Sequence, residues 1–212
     1  PTGSFVAAED LAGLRALARA RGLAILSDEV FADTSLPGLQ TPPSALAGAD
    51  AGPLHFLLSG ASKLLALPQL KIAWIAVAGP AAERDEALAR LEFLADAYLS
   101  VSPLLAAALP DLLARREPIQ APLRARIAEN RARLAERLAG HPQLALVGAE
   151  AGWSAIVRAV GSDPQPPVDE EELTLALLGR AGVLVQSGFL FDLEPTRESQ
   201  PCSHWIVSLL LE

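Results

Sequence analysis

Lys63 closes the run Ser59-Gly60-Ala61-Ser62-Lys63, and Asp28 sits within Ser27-Asp28-Glu29. A lysine amine attacks an aldehyde carbonyl only when it is neutral, which requires a partly desolvated position. The hydroxyls of Ser59 and Ser62 and the turn amides between them suit a phosphate group. A carboxylate such as that of Asp28 keeps an aromatic ring nitrogen protonated and so makes the ring an electron sink. Lys71 offers a second cation for the same phosphate. Each residue also has an ordinary use: Lys63 as a surface lysine, Asp28 as the cap of a turn or helix, and Lys71 as a solvated strand residue.

The elements needed to position these groups follow from the hydrophobic pattern. Leu11, Leu14, Leu17 and Ala18 recur at helical spacing across Ala8–Arg21, and Gly22 supplies a stop. Leu23–Leu26, Leu54–Leu58 and Ile72–Ala78 are short apolar runs that read as buried strands, the first ending at Asp28 and the second at the Ser59–Lys63 turn. Such strands, separated by helices or long loops, predict an open, largely parallel α/β sheet covered on both faces, with ligands bound beyond the strand C-termini. Helices follow over Ala81–Leu99, Pro103–Ala114 and Pro118–Gly140, the last with Ile119, Leu123, Ile127, Leu134 and Leu138 on one face. The remainder reads as strands at Leu144–Val147 and Trp153–Val160, a Pro-rich loop at Asp163–Val168, a helix near Glu170–Ala181, and strands at Val183–Gln186 and Trp205–Leu211. This is a small α+β domain, with the boundary expected near Glu117.

Composition limits the classes of function. The 212 residues are 51% hydrophobic, ample for a packed core, and carry a formal net charge of −8. Nucleic acid and anionic membranes select clustered Lys and Arg, so a small-molecule ligand is expected instead. The single cysteine, Cys202, excludes an internal disulfide framework, suits a reducing cytoplasm, and leaves no metal cluster. No apolar run reaches the roughly 18 residues of a membrane span. The chain starts at Pro1 and contains no methionine, which reads as a piece of a longer protein.

Taken in order, the motifs resemble those of fold-type I aminotransferases of class I/II. Pro1-Thr2-Gly3 is similar to the end of their Asn-Pro-Thr-Gly motif, and Ser27-Asp28-Glu29-Val30-Phe31 to their Ser-Asp-Glu-Val-Tyr segment. Ser59-Gly60-Ala61-Ser62-Lys63, continued by Leu67-Pro68-Gln69-Leu70-Lys71-Ile72-Ala73-Trp74-Ile75, resembles their Schiff-base segment. The resemblance implies an α/β fold: the C-terminal part of the large domain that binds pyridoxal 5′-phosphate (PLP), residues 1–117, with a mostly parallel sheet and helices, and a small α+β domain, residues 118–212. It implies that Lys63 forms the Schiff base with PLP and shuttles the substrate proton, that Asp28 pairs with the pyridine nitrogen, and that Ser62, Lys71 and Ser59 contact the phosphate. The implied reaction moves an amino group between an amino acid and a 2-oxo acid in a homodimeric cytoplasmic enzyme. By the same resemblance the chain alone lacks the other half of the site and is expected to be inactive.

Three departures stand out. Lys71 occupies a place usually held by arginine, keeping the charge but losing the bidentate fork. Phe31 replaces a tyrosine that hydrogen-bonds the cofactor. Ile206, in His204-Trp205-Ile206-Val207-Ser208, stands where an arginine usually grips the substrate carboxylate. Arg197, Arg158 and His204 are the candidates to replace that arginine, although each also reads as a surface or structural residue. Gly182–Leu193 resembles a loop near the cofactor in a subgroup that shares the apolar strand. The same framework also hosts lyases and non-catalytic ligand-sensing domains. Cys202 and His204 have no acid at a spacing suited to a nucleophilic pair, His55 reads as a satisfied core or interface histidine, His141 as a turn residue, and Trp74, Trp153 and Trp205 as core.

Overall fold

A computed structural model of the chain describes residues 1–39, 44–49, 52–98, 100–160, 169–193 and 202–210. The expected Pro-rich loop at Asp163–Val168, Arg197, and the ends of two expected elements at Leu99 and Leu211 lie outside these residues. The chain divides into two compact units, one formed by Phe5–Ser35 and Gln40–Pro122, the other by Pro1–Ser4, Leu36–Leu39 and Leu123–Glu212.

In the first unit, α1 (Ala8–Arg21) ends where Gly22 takes φ 60°, its N–H bonding the Arg19 carbonyl at 3.3 Å and the Leu23 N–H bonding the Ala18 carbonyl at 2.9 Å. A left-handed residue costs glycine little, so the stop expected at this position forms. The strands are β1 (Ile25–Asp28), β2 (His55–Gly60) and β3 (Ala73–Ala78), in that spatial order. β1 and β2 are parallel, with Ile25 opposite His55 and Asp28 opposite Leu58. β3 runs antiparallel to β2, Gly60 facing Ala73 and His55 facing Ala78. The α/β class therefore holds, with a mixed sheet among the described strands. An apolar run does not encode direction; here the link between β2 and β3 holds only a one-turn helix, α2 (Ala61–Leu64), and a 3₁₀ turn, Pro68–Leu70, and it reverses the chain where a parallel return needs a longer crossover.

The expected burial of the strands on both faces is met for β2 and not for its neighbours. Leu26 on β1 is 70% exposed and Ile75 on β3 is 44% exposed. Both lie on strands that have a described partner on one side only. The helices of this unit are α3 (Ala81–Ala97), entered through Pro80, α4 (Pro103–Ala114), and the start of α5 (Arg116–Leu138). Ala61, Leu65 and Ile72 form its buried cluster, against which Trp74, Leu105, Leu109, Leu112, Leu113 and Ile119 pack.

The second unit carries an antiparallel sheet, β4 (Leu144–Leu146), β5 (Ser154–Val160), β7 (Cys202–Ser208) and β6 (Gln186–Ser187), in that order. Helix α6 (Glu170–Ala181) is capped by Asp169, whose carboxylate accepts the Glu172 N–H at 2.9 Å, and is closed by Gly182 at φ 64°. Ile127, Ala155 and Leu209 form one buried cluster with Trp153 beside it, and Ala159, Val185 and Trp205 another. The three tryptophans thus pack where expected. Gly3 belongs to this unit: its carbonyl accepts the N–H groups of Glu150 and Ala151, and at φ 64° a Cβ would lie 2.0 Å from the Ala151 oxygen. No side chain larger than hydrogen fits there.

Candidate functional site

All five residues singled out for chemistry lie in the first unit, at one edge of its sheet. Asp28 is the last residue of β1, and the Glu29 N–H continues the ladder to the Leu58 carbonyl. Ser59 follows on β2 opposite Trp74, so its backbone belongs to the sheet. Gly60 ends the strand, the Ala61 N–H bonds the Ile72 carbonyl at 3.0 Å, and α2 then presents Ser62 and Lys63. Lys71 lies just before β3, which runs back from the same edge. The parallel pair and the reversed third strand together bring Asp28, Ser59, Ser62, Lys63 and Lys71 to the strand C-termini of β1 and β2.

Their environments differ. Lys63, Ser62 and Ser59 are half-buried, whereas Asp28 and Lys71 are exposed. The Asp28 carboxylate accepts the Val30 N–H at 3.1 Å, so the turn-capping use also operates here. Glu29 ties the strand end to residues 44–49: its Oε1 accepts the Ala45 N–H at 2.7 Å and the Ser27 hydroxyl at 3.1 Å. Lys71 has φ 54°, an uncommon conformation for a residue with a Cβ, which turns the chain from the 3₁₀ segment into β3. Gly60 permits this close return, since a Cβ there would lie 2.9 Å from the Ile72 oxygen.

Gln120 on α5 is a residue that sequence reasoning missed. It is fully buried, and its side-chain amide donates to the carbonyls of Lys63 at 2.9 Å and Leu64 at 2.6 Å. Nothing in the spacing signals a contact between positions so far apart in sequence. His55, expected as a satisfied core or interface histidine, is fully buried on β2, but neither ring nitrogen has a partner among the described residues, so the burial holds and the satisfaction does not. Burial holds its pKa below the usual value, with the Arg15 charge acting in the same direction and Glu29 opposing.

The departures near the C-terminus lie in the second unit. Ile206 is buried on β7 between Ile156 and Gln186 on the flanking strands, an apolar core position. Arg158 faces His204 across the β5–β7 pair and is exposed. His204 is buried, its backbone N–H donates to Glu170 Oε1 at 2.7 Å, and burial lowers its pKa, against Glu170 and with Arg158. Cys202 Sγ lies 3.9 Å from His204 Nε2, with both residues buried in the sheet. The 3₁₀ turn Gly188–Phe191 is pinned by Glu170 Oε2, which accepts the Phe189 N–H at 2.9 Å. Among the described residues no group of three or more His, Cys, Asp or Glu is placed to hold a metal, and no helix is long and apolar enough to cross a membrane.

Comparison with known proteins gives this arrangement a family. The family model described as aminotransferase class I and II matches residues 1–199, and the chain belongs to that family. Among solved structures, a PLP-dependent aminotransferase from Streptococcus suis is 23% identical, with a TM-score of 0.76 over 100% of this chain and 50% of its own. An aminotransferase from Escherichia coli is 20% identical, with a TM-score of 0.75 over 99% of this chain and 50% of its own. A double mutant of the Thermus thermophilus aspartate aminotransferase is 21% identical, with a TM-score of 0.75 over 100% and 50%. At these identities the likeness is one of fold, and the chain spans about half the length of each. No curated protein matches the chain.

Proposed function

We propose that this chain is the C-terminal half of a PLP-dependent aminotransferase that moves an amino group between an amino acid and a 2-oxo acid. The observation that carries the reading is the gathering of Lys63, Asp28 and Lys71 at one sheet edge in a chain of this family. The donor set fits PLP in kind: a half-buried primary amine, hydroxyls, a cation and a carboxylate on one rim. Bound there, PLP would supply an aldehyde that captures amines and a ring that accepts electron density. Lys63 would hold the aldehyde carbon through its amine and, once the substrate takes that place, carry the proton from the substrate Cα. Asp28 would keep the ring nitrogen protonated, and Ser62, Lys71 and Ser59 would hold the phosphate. Residues 1–117 would then be the remnant of the large domain and 118–212 the small one, in a cytoplasmic homodimer with no nucleic-acid or membrane partner.

Ile206 favours a second reading. With an apolar core residue at the position aligned to the carboxylate-binding arginine, the fold would hold PLP and sense a ligand without turnover. An absorbance assay in the protein with both halves of the fold present separates the two. Conversion of bound PLP to its amine form by one amino acid in a panel, reversed by the matching 2-oxo acid, is expected of the enzyme. PLP binding with no conversion by any member of the panel would replace the enzyme with the sensor. The chain by itself is expected to be inactive.

A further inference from the structure

α2 is a single turn, too short to be stable by itself, and its last carbonyls have no partner within the helix. The backbone bonds that hold it are few: Ala61 N–H to Ile72 O at 3.0 Å, Leu65 N–H to Ala61 O at 3.0 Å, Leu67 N–H to the same oxygen at 3.3 Å, and Ala66 N–H to Lys63 O at 3.4 Å. Gln120 adds a side-chain donor at the end of this turn, shared by the Lys63 and Leu64 carbonyls. Both of its partners, the Lys63 and Leu64 oxygens, are acceptors, so its NH₂ must face them. Its Oε1 is left buried with no partner among the described residues. An amide that leaves its own oxygen orphaned in order to bond two carbonyls is set by that pair.

We propose that Gln120 is a positioning residue for Lys63, anchoring the one-turn helix from behind so that the amine is presented from a fixed backbone. The proposal rests on the reading of Lys63 as the PLP-binding lysine. Gln120 touches neither substrate nor cofactor in this role; it acts through the lysine. Neighbouring Ile119 packs on the same cluster of Ala61, Leu65 and Ile72 through apolar contact. The two adjacent residues therefore separate anchoring from packing.

Lys63 and Lys71 are the only lysines of the chain, so reductive methylation with formaldehyde and cyanoborohydride, mapped by mass spectrometry, reports Lys63 against an exposed internal reference. This needs no cofactor and no activity. Gln120→Met keeps the length and removes the donors; it is expected to raise the ratio of Lys63 to Lys71 methylation several-fold. Ile119→Ala, compared at matched loss of stability, is expected to leave the ratio as in the parent. If Gln120→Met does not fold, Gln120→Glu takes its place: protonated, its carboxyl donates one bond and holds the parental ratio; ionised, it repels both carbonyls and raises the ratio. An unchanged ratio in Gln120→Met, an equal rise in Ile119→Ala, or a Gln120→Glu ratio that does not depend on pH overturns the proposal. Borohydride reduction with PLP, in the protein with both halves of the fold present, tests the underlying reading separately. A pyridoxyl label absent from Lys63 removes the cofactor role, whatever the methylation ratios show.

Discussion

At the scale of single residues, two buried histidine rings and a shared carboxylate bear on stability. His55 has no described partner for either nitrogen, and burial lowers its pKa below 6.5. His204 is lowered by the same cause. In the unfolded chain both would take up a proton at higher pH than in the folded state. Their contribution to stability is therefore complete above the unfolded value and declines as pH falls below it. The urea midpoint should drop between about pH 7.5 and about pH 5.5, and His55→Leu should flatten that slope at little cost, because it removes two unbonded polar atoms. A midpoint that rises on acidification would contradict the assignment. Glu170 carries the opposite expectation. Its carboxylate accepts the N–H groups of both Phe189 and His204, so Glu170→Ala should cost roughly 2 kcal/mol by urea denaturation.

At the scale of elements, the site depends on a close return between β2 and β3. Gly60→Ala places a Cβ against the Ile72 carbonyl and must displace the segment that carries Lys71; a loss of roughly 2 kcal/mol in thermal or urea unfolding is expected. Helix limits were legible where a residue type forces them. Gly22, Pro103 and Gly182 bound α1, α4 and α6, and the ranges Ala8–Arg21, Pro103–Ala114 and Glu170–Ala181 are those the periodicity predicts. Strand limits were less legible, because pairing sets them. β1 covers Ile25–Asp28 where the apolar run is Leu23–Leu26, since its register follows His55–Leu58. β7 covers Cys202–Ser208 where Trp205–Leu211 was expected, since it must match Ser154–Val160. The direction of β3 and the reach of Gln120 to α2 could not be read from local pattern, being products of tertiary contact. The placement of Lys63 and Asp28 at strand ends could, because abrupt polar stops after apolar runs mark those ends.

At the scale of the molecule, the first unit leaves much apolar surface uncovered: Leu26 is 70% exposed, Phe93 76%, Tyr98 81% and Leu104 83%. Surface of this kind, together with a strand edge lacking a described partner, favours association. The chain alone should run as concentration-dependent oligomers by size exclusion with light scattering; a monomer at every concentration would contradict this. The chain spans about half the length of each similar structure. The Schiff-base role proposed for the Lys63 amine can be tested in the protein with both halves of the fold present. Adding PLP, reducing with borohydride and mapping the peptides should place the pyridoxyl label on Lys63, and Lys63→Ala should abolish it. A label on Lys71, or no label on either lysine, would contradict the account.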